Sequence, residues 1–309
     1  MTTTLTDMIN EVSMNLSGYT LTQDRSTFLR TAVTSITSSS ASPTTLSLGS
    51  TENVGKGIVE IDEELLWIDN YDRVGNTATI APYGRGYLGT TATTHAVDTK
   101  VTISPTFPRF SIKRAINDTI KGLSGMLFAA DTTTITYNSA VSTYRLPATG
   151  NSLSIRNILS VAYESIGPSK EWIPVRSWRF DSNANSTAFS SEQTISIYDT
   201  ITSGRNIQIV YSKDPTPFTS NSEVFTTQTG LPESCRDLVI TGSIYRLLAN
   251  LDPARAAMVS PQADEVDSKR PYGSSQSLTR QIYALYTQRL AEEVKSQQNK
   301  YPIRVHYSL

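Results

Sequence analysis

The stretch Gly57-Ile58-Val59-Glu60-Ile61-Asp62-Glu63-Glu64-Leu65-Leu66-Trp67-Ile68 sets two apolar runs either side of a knot of four carboxylates. Two β-strands folding back over an acidic turn fit this pattern, because strand side chains alternate between faces with period two. Glu60 and Asp62 are expected to share one strand face, with Glu63 and Glu64 filling a solvated turn. The period of two continues on both sides: Leu46 and Leu48 alternate, Arg73-Val74-Gly75-Asn76 reads as a turn, and Thr77–Ile80 and Lys100–Ile103 read as further strands. Short strands at such close spacing predict a small barrel or sandwich over residues 41–105.

Helical spacing frames this β unit. Met8, Ile9, Val12 and Leu16 recur at helical intervals behind a Thr6 or Asp7 cap, and a second short helix is expected from about Thr22 to Ala32. SITSSSASPTT, from Ser35, reads as a polar linker. After Phe107-Pro108, the residues Ile112, Ile116, Ile120, Leu123 and Leu127 form an amphipathic stripe, with Asn117 and Lys121 on the opposite side. From Thr132 to Tyr211 β-patterned runs return without helix-length crossovers, which predicts a second antiparallel unit with turns at Gly150-Asn151, Ser182–Asn185 and Ser203-Gly204. Two late helices follow. One starts near Pro232 and carries Cys235, Leu238, Val239, Ile244 and Leu248; the other presents Leu278, Ile282, Leu285, Tyr286, Leu290 and Val294. A mobile-looking stretch, Ser260 to Ser275, separates them, and in the terminal segment Ile303, Val305 and Tyr307 alternate like a strand. Together these elements predict an α+β fold: a helical bundle core, two inserted antiparallel β units and an extended C-terminal tail. The expected divisions are 1–40, 41–105, 106–131, 132–230, 231–298 and 299–309.

Composition narrows the chemistry. The 309 residues carry 27 Lys and Arg against 28 Asp and Glu, so a dedicated reader of duplex DNA, which would be basic, is not expected. One cysteine allows neither a disulfide framework nor a cysteine zinc site, and two histidines, His95 and His306, do not make a histidine metal centre. No apolar run reaches the roughly 18 residues of a membrane span, and the first residues lack a signal-peptide pattern, so a soluble protein made in a cytosol is expected. Neither a Gly-x-Ser-x-Gly elbow nor a phosphate-binding Gly-Lys-Ser/Thr loop is present. A glycosidase built on Glu60, Asp62 or Glu64 would need a facing carboxylate pair at a set separation, which a single hairpin does not offer. No catalytic residue, cofactor or metal is therefore expected.

The hairpin, together with Tyr83-Gly84-Arg85-Gly86-Tyr87-Leu88-Gly89-Thr90-Thr91-Ala92-Thr93-Thr94-His95-Ala96, resembles a pattern of tailed-phage virion proteins. In it an Ile-Asp-Glu-Glu hairpin precedes Arg-Gly-x-x-Gly-Thr-x-Ala-x-x-His. The resemblance implies a structural loop folded by Gly86 and Gly89 and anchored by Arg85 and His95; Asp98-Thr99 stands where a glycine often follows the histidine. The wider layout resembles the head-to-tail connector adaptors of tailed bacteriophages. That resemblance implies a non-enzymatic neck protein of the virion, assembled in the host cytoplasm as a ring, twelvefold in this family. Its implied partners are further copies of itself, the portal protein, a head-tail stopper or tail protein, and DNA passing through the lumen without sequence readout; no membrane is involved. The portal-binding role falls on the tail residues Tyr301, Ile303, Arg304, Val305, His306, Tyr307 and Leu309. The alternative is a baseplate, fibre or neck-decoration protein whose β units bind other subunits or glycans, with Trp67, Trp172 and Trp178 as stacking surfaces; packing in a core or interface is the plainer role for each.

Overall fold

A computed structural model describes residues 2–18, 24–34, 44–146, 155–168, 170–190, 192–249 and 274–302. The expected linker at 35–43, the Gly150-Asn151 turn, the stretch 260–273 and tail residues 303–309 lie outside them. The chain divides into two compact units, one of Thr6–Ile116 with Ile240–Ile282, the other of Met1–Leu5, Asn117–Val239 and Tyr283–Leu309.

In the first unit, six antiparallel strands form one sheet: β1 (Arg25–Phe28), β2 (Thr45–Ser47), β3 (Gly57–Ile61), β4 (Glu64–Asp72), β5 (Thr77–Ile80) and β6 (Lys100–Ile103), in the order β1-β6-β3-β4-β5-β2. The edge strands meet through a Leu29–Leu48 bridge, where Gly49 N–H donates to Phe28 O at 2.8 Å and Arg30 N–H to Ser47 O at 2.9 Å. A sheet whose edges join leaves few unpaired backbone groups to recruit other chains. Leu29, Leu46, Ile61, Leu66, Ile68, Ile80 and Val101 fill its interior. The helix expected over Thr22–Ala32 is replaced by β1, whose four residues pair with β6 in register from Arg25–Ile103 to Phe28–Lys100. Thr27 and Phe28 favour a pleated surface, and closing the sheet outweighs the weak helical spacing of Phe28, Leu29 and Val33.

The second unit is a β-sandwich. One sheet has the order β10-β9-β13-β7, from β7 (Ala129–Thr136), β9 (Ile155–Glu164), β10 (Trp172–Pro174) and β13 (Asn206–Lys213). The other has the order β11-β12-β8, from β8 (Thr143–Arg145), β11 (Trp178–Asp181) and β12 (Thr194–Ile197). Ile135, Val161, Ile207, Ile209 and Tyr211 from the first sheet share a core with Ile195 and Ile197 from the second.

The helices are α1 (Leu5–Ser17), α2 (Arg109–Gly122), α3 (Phe225–Thr229), α4 (Arg236–Ala249) and α5 (Ser274–Lys300). The expected helical bundle core is therefore corrected: the chain is β-rich, with thirteen strands in a part-closed barrel and a sandwich against five α-helices among the described residues. Ile112, Ile116 and Ile120 are buried on α2 as their spacing requires, while Leu123 and Leu127, expected on the same helical stripe, are buried past the end of the helix at Gly122. A stripe says that one face is covered but not by what, and this is why helical periodicity overstated the bundle. On α5, Ile282 and Tyr286 are buried whereas Leu285 is 58% exposed.

Side-chain amides stand in for missing strand neighbours in the second unit. Asn117 of α2 donates to Phe218 O at 3.0 Å and accepts from Phe218 N–H at 2.9 Å. Gln193 grips Ile155 in the same two-way fashion (3.0 and 3.1 Å), and Gln297 of α5 grips Phe128 (2.6 and 3.1 Å). Each amide satisfies one backbone donor and one backbone acceptor that no ladder reaches. Asn117→Leu should therefore cost about 1–3 kcal/mol by denaturant titration, because it strands both Phe218 groups; a change below about 0.5 kcal/mol would show that water replaces the amide without loss.

Candidate functional site

The turn of the β3–β4 hairpin consists of Asp62 and Glu63 alone, since Ile61 pairs with Glu64. Asp62 takes the left-handed backbone (φ 56°) that lets so tight a turn close, a conformation that short polar side chains tolerate. Glu64 thus starts a strand instead of filling the turn, and the expected solvated acidic hairpin is corrected. The Glu64 side chain is fully buried and Glu60 is buried with it, while the Asp62 side chain is 60% exposed.

A buried carboxylate needs compensation, and Glu64 receives five hydrogen bonds. Arg85 Nε and Nη2 meet its two oxygens side-on at 2.6 and 2.8 Å. Backbone N–H groups of Gly86 (3.0 Å) and Thr93 (2.9 Å) and the His95 Nε2–H (2.9 Å) complete the set. Burial raises the Glu64 pKa, but these donors, Arg85 foremost, outweigh it and bring the group down to about 2. The other His95 nitrogen, Nδ1, lies 2.8 Å from Asp62 Oδ2. Ionised carboxylates only accept, so an imidazole bonded to one at each nitrogen is doubly protonated. Burial opposes that charge, yet the bonds to Glu64 and Asp62 prevail and raise the His95 pKa. Two anions and two cations balance.

This ion cluster folds residues 83–95 into a fixed loop. Arg85 also donates to Thr93 O at 2.5 Å, and Thr90 Oγ1 accepts from Leu65 N–H at 3.0 Å while donating to Tyr87 O at 3.0 Å. Gly86 sits at φ 61°, and a Cβ there would lie 2.8 Å from Thr90 O, so the position admits only glycine. Gly89 (φ 82°) supplies the second left-handed step. The tip presents Leu88, 65% exposed and itself left-handed (φ 55°), beside a Trp67–Tyr87 ring contact at 5.3 Å.

The remaining acids of the hairpin turn to α2. Glu60 accepts the backbone N–H of Arg109, the first residue of that helix, and Glu63 pairs with Lys113 at 3.1 Å. Burial pushes the Glu60 carboxyl up to about 7, more than the Arg109 N–H and charge draw it down. Sequence reasoning missed Glu64, Asp62 and Glu60 as bonding centres. The available signal was a carboxylate flanked by Ile61, Leu65 and Leu66 with a lone arginine and histidine downstream, a combination that calls for pairing.

Elsewhere, Cys235 is buried, and burial, aided by Glu293, pushes its thiol up to about 12, so it packs as an apolar group. Trp67 and Trp172 are partly exposed and Trp178 packs on the sandwich core. Of the tail, Tyr301 continues the helical bonding of α5 (N–H to Gln297 O, 2.9 Å) and its ring lies 5.8 Å from that of Phe128. Ile303, Arg304, Val305, His306, Tyr307 and Leu309 lie outside the described residues. No group of three or more metal-ligating side chains occurs among the described residues, and no described helix is long and apolar enough to cross a membrane.

A carboxylate that accepts five hydrogen bonds and is sealed from solvent is a structural anion, and the cluster around Glu64 stabilises a surface loop. Residues 88–306 match the family model described as SU10 adaptor protein, and the chain belongs to that family, the structural adaptors of bacteriophages. Membership places it in the virion, in assembly with other phage head and tail proteins. No curated protein matches the chain significantly. The matched span opens at Leu88, inside the loop, so Asp62, Glu64 and Arg85 precede it while His95 lies within it.

Opposed pH dependences follow from these carboxylates. Glu64, lowered from 4.5 to about 2, contributes stability present above pH 4.5 and lost as pH falls through 2. Its contribution is about 3 kcal/mol, and Glu64→Gln should flatten that acid limb in urea titrations between pH 5 and 2. Glu60, raised to about 7, contributes stability present below 4.5 and lost as pH rises through 7. Glu60→Gln keeps the acceptor for Arg109 N–H without the buried charge, so it should gain on the parent protein by about 1–3 kcal/mol between pH 5 and 8. A difference that does not change with pH would show that Glu60 is not held as an acid.

Proposed function

We propose that the chain acts as a head-to-tail adaptor: copies assemble into a ring, twelvefold as the resemblance implies, that joins the portal to the next neck or tail protein and continues the DNA channel. The observation that carries this reading is the family match, which spans the sandwich, α2 from its first residue to its last, and the late helices α4 and α5. In this assignment residues 41–105 and 132–230 offer surfaces to neighbouring subunits, and Tyr301, Ile303, Arg304, Val305, His306, Tyr307 and Leu309 reach the portal. The strand-like alternation of Ile303, Val305 and Tyr307 supports the last point, since an extended segment gains most by pairing with another chain. Near-neutral charge, 27 basic against 28 acidic residues, suits a lumen that lets DNA slide, because a strongly basic wall would hold phosphates. Repeated weak contacts around a ring add through multivalency.

Mass photometry of the protein with purified portal tests this, using the full chain and a truncation ending at Pro302. That end point keeps α5 and the Tyr301–Phe128 contact intact. The full chain should give a ring-sized complex on portal and the truncation should lose it. Binding by neither protein overturns the portal assignment, and equal binding by both removes the tail from it.

A further inference from the structure

The sandwich carries a groove at the join of its two sheets. It lies where β10, an edge strand of the four-stranded sheet, passes through Val175, Arg176 and Ser177 into β11, an edge strand of the three-stranded sheet. The cavity is about 310 Å³, and Trp172, Trp178, Arg176, Ser160, Val161 and Pro174 line it. Its floor is rigid: Val161 and Val175 are buried and joined by Val175 N–H to Val161 O at 2.9 Å, and Trp178 packs on the core beneath.

The lining is rich in unused donors. Trp172 is 43% exposed and its indole N–H bonds to no described residue. Asp199 holds the Arg176 backbone N–H at 2.6 Å, yet the Arg176 guanidinium makes no ion pair among the described residues, and the Ser160 hydroxyl is likewise unpaired there. An exposed indole with its N–H, beside a guanidinium without an ion pair among the described residues and a hydroxyl, fits a ligand with a flat C–H face, acceptor oxygens and a carboxylate. We propose that this groove binds an acidic saccharide, with a sugar face on Trp172 and a uronate carboxylate on Arg176.

Two other occupants fit less well. Peptide strand addition is disfavoured because β10 has three residues and ends in Pro174, which has no N–H. Single-stranded nucleic acid would stack on the Trp172 indole, but one guanidinium does not track a phosphate backbone.

Isothermal titration of the full chain tests the proposal, with tetragalacturonate as probe and maltotetraose and oligo-dT as comparisons. Trp172→Ala and Arg176→Gln alter exposed side chains, and circular dichroism checks that both variants fold. The expected result is saturable uronate binding that weakens by at least ~10-fold in each variant, with maltotetraose weaker than uronate by a similar factor. Absence of saturable uronate binding, unchanged affinity in both folded variants, equal affinity for the neutral sugar, or binding of oligo-dT alone would each overturn it. Trp172→Ala leaves the tail untouched, so the portal assay and this titration fail independently.

Discussion

A carboxylate that loses all contact with water must be neutralised where it lies, and Glu64 is such a group. Its two oxygens can be satisfied only if a guanidinium, an imidazolium and two backbone N–H groups converge on them. That requirement sets the course of the chain from Arg85 to His95: Gly86 must take a left-handed backbone, and the Thr93 N–H must face inward. The exposed apolar tip at Leu88 is held in place by charges beneath it and by the Trp67–Tyr87 ring contact beside it.

The four acids of the hairpin divide their work. Asp62 and Glu64 hold the loop, while Glu60 and Glu63 hold the first turns of α2. Opposite environments follow from opposite partners. Glu64 meets two cations and stays ionised far into acid, whereas Glu60 meets one backbone N–H at a helix start, and burial keeps it near neutrality as a titrating group. Within a single hairpin, the choice of partner converts similar side chains into an acid-sensitive clamp and a base-sensitive one.

For an assembly subunit these are useful properties. A virion adaptor works by docking, and preorganised loops lower the entropic cost of docking. The amide grips of Asn117, Gln193 and Gln297 serve the same end in the second unit, tying helix and connection backbone to the sandwich without further strands.

Local rules in the sequence determined much of this protein. Alternation over Ile58–Ile68 and Thr77–Ile80, the Phe107-Pro108 helix start and the stripe from Ile112 to Leu127 all depend on neighbours within a few residues, and they are legible for that reason. Arg85, Gly86, Gly89 and His95 stood out through the resemblance of their loop to a tailed-phage pattern. Long-range pairing could not be read in this way. Arg25–Phe28 is a strand only because β6 lies beside it, and the apolar stripes carried no record of what covers them, so the bundle they suggested gave way to a barrel and a sandwich. Glu64 and Glu60 read as solvated because acidic side chains usually are. Only the tertiary structure, by bringing Arg85 and His95 to one and the α2 terminus to the other across 21 to 49 residues of chain, decided that both are buried.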